Sequence, residues 1–253
     1  MKKILFSLVF IFVIGNLEAK IGLRVYPADI PIVCQKGTTY EGEITVVNIS
    51  DREMKFVLIP YDLGVDGSGG LTTLPIGEGK HSATKWITFS PDSFTLPPSG
   101  EGKATYHIRV PDDVEVGGYY SAIYVDAPVK MGVHIGIVCK FFITIQGEMQ
   151  KKAIVEGIEV YKKDEGVEID VKYSNIGNIH FEPNIVAEIK NEKGETIKRL
   201  VNENSRPILP GSKVNHKFLW QQPPENGNYQ TVVVFTYNSE DNPIVAVKAF
   251  SIE

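Results

Sequence analysis

The sequence states one phrase twice. The first copy runs Asn48-Ile49-Ser50, then Leu96-Pro97-Pro98-Ser99-Gly100, then Pro111, and closes on Gly118-Tyr119-Tyr120. The second runs Asn175-Ile176-Gly177, then Leu209-Pro210-Gly211, then Pro223-Pro224, and closes on Gly227-Asn228-Tyr229. From Gly100 to Tyr119 is 19 residues and from Gly211 to Tyr229 is 18, each interval holding one strand between turns marked by proline and glycine. The chain is therefore built from two copies of one folding unit.

Strand signals dominate both copies. Met54 to Leu58, Ala104 to Val110 and Val167 to Tyr173 alternate apolar and polar residues at period two, with turns rich in Gly, Pro, Asp and Asn between them. Further strands are expected at Ile185–Ile189, Asn215–Trp220, Tyr229–Tyr237 and Ile244–Ile252, with a hairpin turn at Asn191-Glu192-Lys193-Gly194. The clearest strand runs Val133 to Ile145. One face carries Val133, Ile135, Ile137, Cys139, Phe141, Ile143 and Ile145; the other is mixed, and its Val138 and Phe142 lie under a covering loop or are presented to a partner. A strand-only unit repeated after about 100 residues predicts an all-β chain of two tandem immunoglobulin-like β-sandwiches, the periods of solenoids being several-fold shorter.

Met1-Lys2-Lys3, the apolar run Ile4 to Ile14, and the small or polar residues ending at Ala19 have the grammar of a secretory signal peptide. An uncleaved N-terminal anchor is the alternative reading of the same segment. The expected division is a signal peptide over 1–19, a first sandwich over 20–146, and a second over 147–253, separated by the polar stretch Gln146 to Lys152. Without residues 1–19 the chain has 24 basic and 30 acidic residues, net −6, and no basic run. That argues against nucleic acid and anionic membrane as partners. No second long apolar segment follows, so no membrane anchor is expected after cleavage, and the mature protein is expected in the periplasm or outside the cell.

Cys34 and Cys139, the two cysteines of the sequence, sit in apolar strand-like runs. In an oxidising compartment they form a disulfide between neighbouring strands, or remain two buried thiols acting as small hydrophobes. Asn48 to Gly100 spans 52 residues against 36 from Asn175 to Gly211, so the first copy holds an insertion, placed between Tyr61 and Trp86. It contains the Gly-rich segment Asp62 to Gly70, which is a binding loop or an ordinary mobile hairpin. Asp62 and Asp66 lack the ligand spacing of a calcium loop, and the five histidines fall in separate segments without metal-ligand spacing. There is no Gly-x-Ser-x-Gly elbow and neither cysteine has the setting of a catalytic thiol, so no cofactor, metal or enzymatic activity is expected. Asn48-Ile49-Ser50 fits a glycosylation sequon but reads as a turn within the repeated phrase. Tyr119, Tyr120 and Tyr229 read as corner residues tying a crossover to the backbone, and Trp86 and Trp220 as core.

Several phrases carry a resemblance. Trp86-Ile87-Thr88-Phe89-Ser90-Pro91, Phe94-Thr95-Leu96-Pro97-Pro98, Val110-Pro111-Asp112-Asp113 and Gly118-Tyr119-Tyr120 resemble the immunoglobulin-like domains of bacterial surface and periplasmic assembly factors. Two families stand out: the periplasmic pilus chaperones, and the cell-wall proteins that interact with WxL surface proteins, which are similar in the Gly-rich insertion and the Gly-Tyr-Tyr phrase. The first resemblance implies a cleft between two sandwiches in which Arg24 and Lys140 grip the terminal carboxylate of a pilin-like or other surface subunit. Beside it, the alternating strand from Val133 to Ile145, with Val138 and Phe142, completes the subunit's sheet. The implied function is chaperone-like, non-enzymatic binding of another exported protein during surface assembly. The alternative is a structural or adhesive module binding cell-wall polymer or carbohydrate, for which Tyr61, Asp62 and Asp66 form the candidate loop cluster.

Overall fold

The computed structural model describes residues 20–130, 132–222, 226–237 and 243–252; the segment read as a signal peptide lies outside them. The first unit contains β1 (Leu23–Tyr26), β2 (Asp29–Cys34), β3 (Thr39–Asn48), β4 (Met54–Val65), β5 (Leu71–Leu74), β6 (Ile87–Ser90), β7 (Ser93–Leu96), β8 (Glu101–Arg109), β9 (Gly117–Lys130) and β10 (Val133–Ile145). One sheet has the order β1-β3-β8-β6 and the other β2-β10-β9-β4-β5, with β7 also paired to β4. The second unit contains β11 (Ala153–Lys163), β12 (Gly166–Asn175), β13 (Asn184–Lys190), β14 (Thr196–Val201), β15 (Lys213–Gln221), β16 (Gly227–Thr236) and β17 (Ile244–Ile252). Its sheets are β11-β12-β15 and β14-β13-β16-β17. The chain is two immunoglobulin-like β-sandwiches in tandem, and a short 3-10 turn at Thr84–Trp86 is the one helical element among the described residues.

Period-two alternation fills each core. In the first, Ile44, Val46, Phe56, Ile108, Val125, Phe141 and Ile143 meet between the sheets; in the second, Ile169, Val171, Ile185, Ile189, Val233, Phe235 and Trp220 do so. Burial of this apolar surface is the main stabilising term. Trp220 is core as expected, while Trp86 is half-buried against Tyr119, ring centroids 4.7 Å apart.

The repeated phrase has one structural cause. Asn48, fully buried at the end of β3, donates its side-chain Nδ2 to the carbonyls of Arg52, Leu96 and Pro97, and its Oδ1 accepts the Ser50 N–H at 2.9 Å. Asn175, fully buried at the end of β12, repeats the arrangement: Nδ2 donates to Ile179 and Ile208, and Oδ1 accepts the Gly177 N–H at 2.9 Å. In both units a buried amide ties the end of one strand to the Leu-Pro segment that approaches it, adding a side-chain donor to carbonyls of that segment. The sequon asparagine is therefore an internal brace.

The cysteine pair does not bridge. β2 and β10 are neighbours, but they run parallel with Asp29 opposite Lys140 and Cys34 opposite Ile145. Cys34 thus lies six residues along from the position facing Cys139, about 20 Å at the rise of a strand, whereas a disulfide needs Cα atoms within about 7 Å. Both thiols are buried and unbridged. The expectation of adjacent strands holds; the register removes the bridge.

Candidate functional site

The first strand of the chain is divided between the two sheets. β1 pairs with β3 in one, the chain crosses at Pro27 and Ala28, and β2 then pairs with β10 in the other. Pro27 has no N–H to contribute to either ladder. Because β2 joins late, it covers β10 only over Lys140–Ile145, whereas β9 follows β10 along its other side from Val133 to Ile145. Among the described residues no strand pairs with the remaining edge of Val133–Cys139. Lys140 and Gln146 donate their N–H groups toward β2, to Ala28 at 2.8 Å and Cys34 at 2.9 Å. Strand alternation then directs the N–H groups of His134, Gly136 and Val138 outward along the open edge. Ile135 and Ile137 pack against the core beneath it. Gly136 fits because the hydroxyl end of the Tyr124 ring lies against it, where an added Cβ would come within 2.2 Å of the ring.

Further along β10, Val138, Lys140 and Phe142 lie beside residues of the second sandwich. Val138 and Phe142 are half-buried against a cluster of Leu63, Tyr120, Ala122 and Leu209, the last contributed by the second unit. Next to this cluster is a cleft with two lobes of about 530 and 330 Å³, which share Lys140, Leu71 and Pro207. The first lobe also meets Val138 and Arg206; the second meets Asp29, Phe142, His180 and Glu182. Lys140 Nζ stands 2.7 Å from Asp29 Oδ1, the parallel register having placed the two residues directly opposite one another.

Arg24 is elsewhere. It alternates with core Val25 on β1 and so leaves the outer face of the β1-β3-β8-β6 sheet, while Lys140, between core Cys139 and Phe141, leaves the outer face of the other. The two cations point off opposite sides of the sandwich, because residues before the crossing at Pro27 belong to the other layer. The second cation in the cleft is Arg206, carried by the loop before the second Leu-Pro segment. Neither Asp29 nor Arg206 stood out in the sequence; their only signal is position, one opening β2 and the other preceding Pro207.

The Gly-rich insertion is a clamp. β4 and β5 form a hairpin whose tip is closed by Asp66, with Oδ1 accepting the N–H groups of Ser68 at 2.8 Å and Gly70 at 2.9 Å. The tip docks on the second sandwich: Asn215 donates its N–H to Gly67 O at 2.8 Å, and Gly69 packs close to Val214 and Ile208. Asp62 is fully buried and accepts from Gly77 and Gly79 N–H and from the Ser82 hydroxyl. Burial opposes its ionisation, but the hydrogen bonds from Ser82, Thr84, Gly79 and Gly77 outweigh it and hold the carboxyl below the usual range. Tyr61 is half-buried beside it. Of the loop cluster that a carbohydrate-binding reading requires, Asp62 is thus taken up by contacts within the protein, while Asp66 is exposed with Oδ1 engaged in the turn.

A second set of contacts fixes the sandwiches from the opposite side. Gly118 donates its N–H to Asn178 O at 2.7 Å; Gly117, at φ +145°, passes so close that a Cβ would sit 2.6 Å from that carbonyl. The Tyr120 hydroxyl accepts the His180 backbone N–H at 3.0 Å and lies 3.2 Å from its Nδ1. The expected corner role of Tyr120 is replaced by a tie between sandwiches. Burial, and then the charge of Lys151, lower the His180 pKa, and burial raises that of Tyr120. Both groups are neutral near pH 7.

No family model and no curated protein matches the chain. Its structure is similar to solved structures of fimbrial chaperones at low sequence identity. A chaperone–tip adhesin complex of CFA/I fimbriae biogenesis matches at 10% identity over 90% of this chain and 98% of that one, with a TM-score of 0.49. The class 5 fimbriae chaperone CfaA matches at 10% identity over 90% and 98%, with a TM-score of 0.45. The CsuC–CsuE chaperone–tip subunit complex from archaic chaperone-usher Csu pili of Acinetobacter baumannii matches at 12% identity over 89% and 97%, with a TM-score of 0.46.

Proposed function

We propose that this chain is an exported, non-enzymatic, chaperone-like protein that holds an extended segment of another exported protein against the open edge of β10. In this reading residues 1–19 are removed on export, residues 20–146 form the holding sandwich, and residues 147–253 form the other wall of the cleft. The observation that carries it is the unpaired Val133–Cys139 edge running directly into the inter-domain cleft at Lys140. An exposed strand edge offers main-chain hydrogen bonds to any extended polypeptide, and the side chains beside it set selectivity. A terminal carboxylate entering the cleft would meet Lys140 and Arg206, one from each sandwich, in the role that resemblance had given to Arg24 and Lys140. Two cations around one carboxylate form charge-assisted hydrogen bonds, which are the stronger kind.

The test is capture of exported partners with the mature chain, followed by hydrogen exchange on the captured complex. The amides of Gly136 and Val138 should become protected when the partner is bound. Val138→Pro removes one outward donor while Val138→Ala keeps it, so capture should fall with the first and persist with the second, both proteins being confirmed folded. Equal capture by both variants, with no protection along Val133–Cys139, overturns the reading.

A further inference from the structure

Resting on that reading, we infer that Asp29 is a resident competitor for the carboxylate that the cleft accepts, so that a partner engages Lys140 by exchange with Asp29 Oδ1. The two groups are 2.7 Å apart, and their solvent exposure differs: the Asp29 side chain is 60% exposed and that of Lys140 27%. The carboxylate therefore lies on the solvent side of the ammonium, where an incoming anion arrives. Its position also lets it leave cheaply. Asp29 is the first residue of β2, and the neighbouring ladder bond from Lys140 N–H to Ala28 O is made by main chain, so it persists when the side chain swings away.

The charges in the cleft favour exchange for another carboxylate over loss of the pair. Lys140 and Arg206 line one lobe, and among the described residues no carboxylate lies within ion-pair distance of Arg206, the electrostatic influence of Asp66 being longer in range. The acidic groups of the other lobe are Asp29 itself and Glu182. With Asp29 displaced, a ligand carboxylate takes its place on Lys140 and gains Arg206 as well, which Asp29, held on β2, shares no contact with. An exposed ion pair is weak, so the competitor costs a partner only a modest part of its affinity. Its effect is selectivity: a segment that brings no carboxylate gains nothing by entering, because Lys140 is already satisfied.

The probe is a soluble peptide of about ten residues, long enough to span the edge, with alternating valine and serine. It is made in three forms: a free C-terminal carboxylate, a C-terminal amide, and the amide carrying one aspartate near its end. Binding is measured to wild type, Asp29→Asn, Lys140→Met and the double variant. Asp29→Asn should tighten the free-carboxylate peptide by about two- to fivefold, the upper range of one exposed ion pair, leave the amide unchanged, and lose its gain when Lys140 is Met. A gain for the internal aspartate form alone would assign the carboxylate to a side chain and not to a chain terminus. Unchanged affinity of both carboxylate forms in Asp29→Asn, with the peptides still protecting Val133–Cys139 from exchange, overturns the competitor and leaves strand capture standing. Failure of all three peptides to bind or protect that edge would overturn both.

Discussion

Tyr120 of the first sandwich and His180 of the second meet through a single hydroxyl, which accepts the His180 backbone N–H at 3.0 Å and lies 3.2 Å from Nδ1. With one N–H already directed at the oxygen, the hydroxyl proton is free to donate to a neutral Nδ1, an arrangement that puts the imidazole proton on Nε2. The His180 ring also packs on Phe142 of β10, 5.2 Å between centroids. The groups around it are Tyr120, Lys151 and, in the adjoining cleft, Asp29, Lys140 and Glu182.

Protonating His180 removes the acceptor and places a cation at a half-buried interface. Because burial, followed by Lys151, depresses the folded pKa below its ordinary value, the neutral contact contributes its full stability above about pH 6.5. That contribution is lost as pH falls through the depressed folded value. We expect the inter-domain angle, followed by small-angle scattering or relaxation anisotropy, to loosen on acidification. Tyr120→Phe should cost about 1–3 kcal/mol through the stranded polar partners and should weaken this pH dependence.

The two asparagine braces should behave alike. Asn48→Ala leaves the carbonyls of Leu96 and Pro97 without their amide donor, and Asn175→Ala does the same to Ile208. Each should destabilise its own sandwich by roughly 1–3 kcal/mol, as expected for the loss of several buried hydrogen bonds made by one amide. Urea unfolding of each variant measures it, and a loss below about 0.5 kcal/mol at either position would remove the brace from the account of the repeat.

Oxidation should leave the protein unchanged. Burial pushes the Cys139 thiol up to about 12, and Asp29 adds to the effect, so almost no thiolate exists at neutral pH. Alkylating reagents should label Cys34 and Cys139 only after unfolding, and reduced and oxidised samples should migrate identically. Rapid labelling of native Cys139, or a mass loss of two hydrogens on oxidation, would contradict the register found here.

Loosening the hairpin tip should weaken one of the two ties between the sandwiches without unfolding either. Asp66→Ala removes the acceptor that closes the turn through Ser68 and Gly70. Nitrogen relaxation should then report faster local motion at Gly67, Gly69 and Asn215, while the Gly118 and His180 amides of the other tie, and core amides near Phe141 and Phe235, keep their order and their protection from exchange.

Much of the fold was legible because burial on one face imposes a pattern: Ile30, Ile32 and Cys34 on β2 alternate with Asp29, Pro31 and Val33 as a half-buried strand must. The Asn and Leu-Pro phrases were legible as repeats, though their meaning, a buried amide reaching across to a loop, depends on pairing that spacing alone does not give. The cleft was harder to read. Lys140 could be placed on the exposed phase of its strand, but its partner depends on strand direction, and parallel β2 brings Asp29 to it while carrying Cys34 away from Cys139. The Gly-rich insertion read as a loop because its tip has little apolar content of its own; it is ordered by Val214 and Ile208 from far along the chain.

The crossing at Pro27 and Ala28 gives the exposed stretch of β10 an unusual kind of permanence. The gap beside β10 is a product of routing: one strand's length of chain serves two layers and runs short in the second. Side-chain substitutions along Val133–Cys139 can alter what sits there, yet none of them can seal it. Sealing it would take extra residues in β2 ahead of Asp29, enough to reach Val133. A version of the protein with β2 lengthened in that way would keep both sandwiches and the clamp between them, and would present no open backbone along Val133–Cys139.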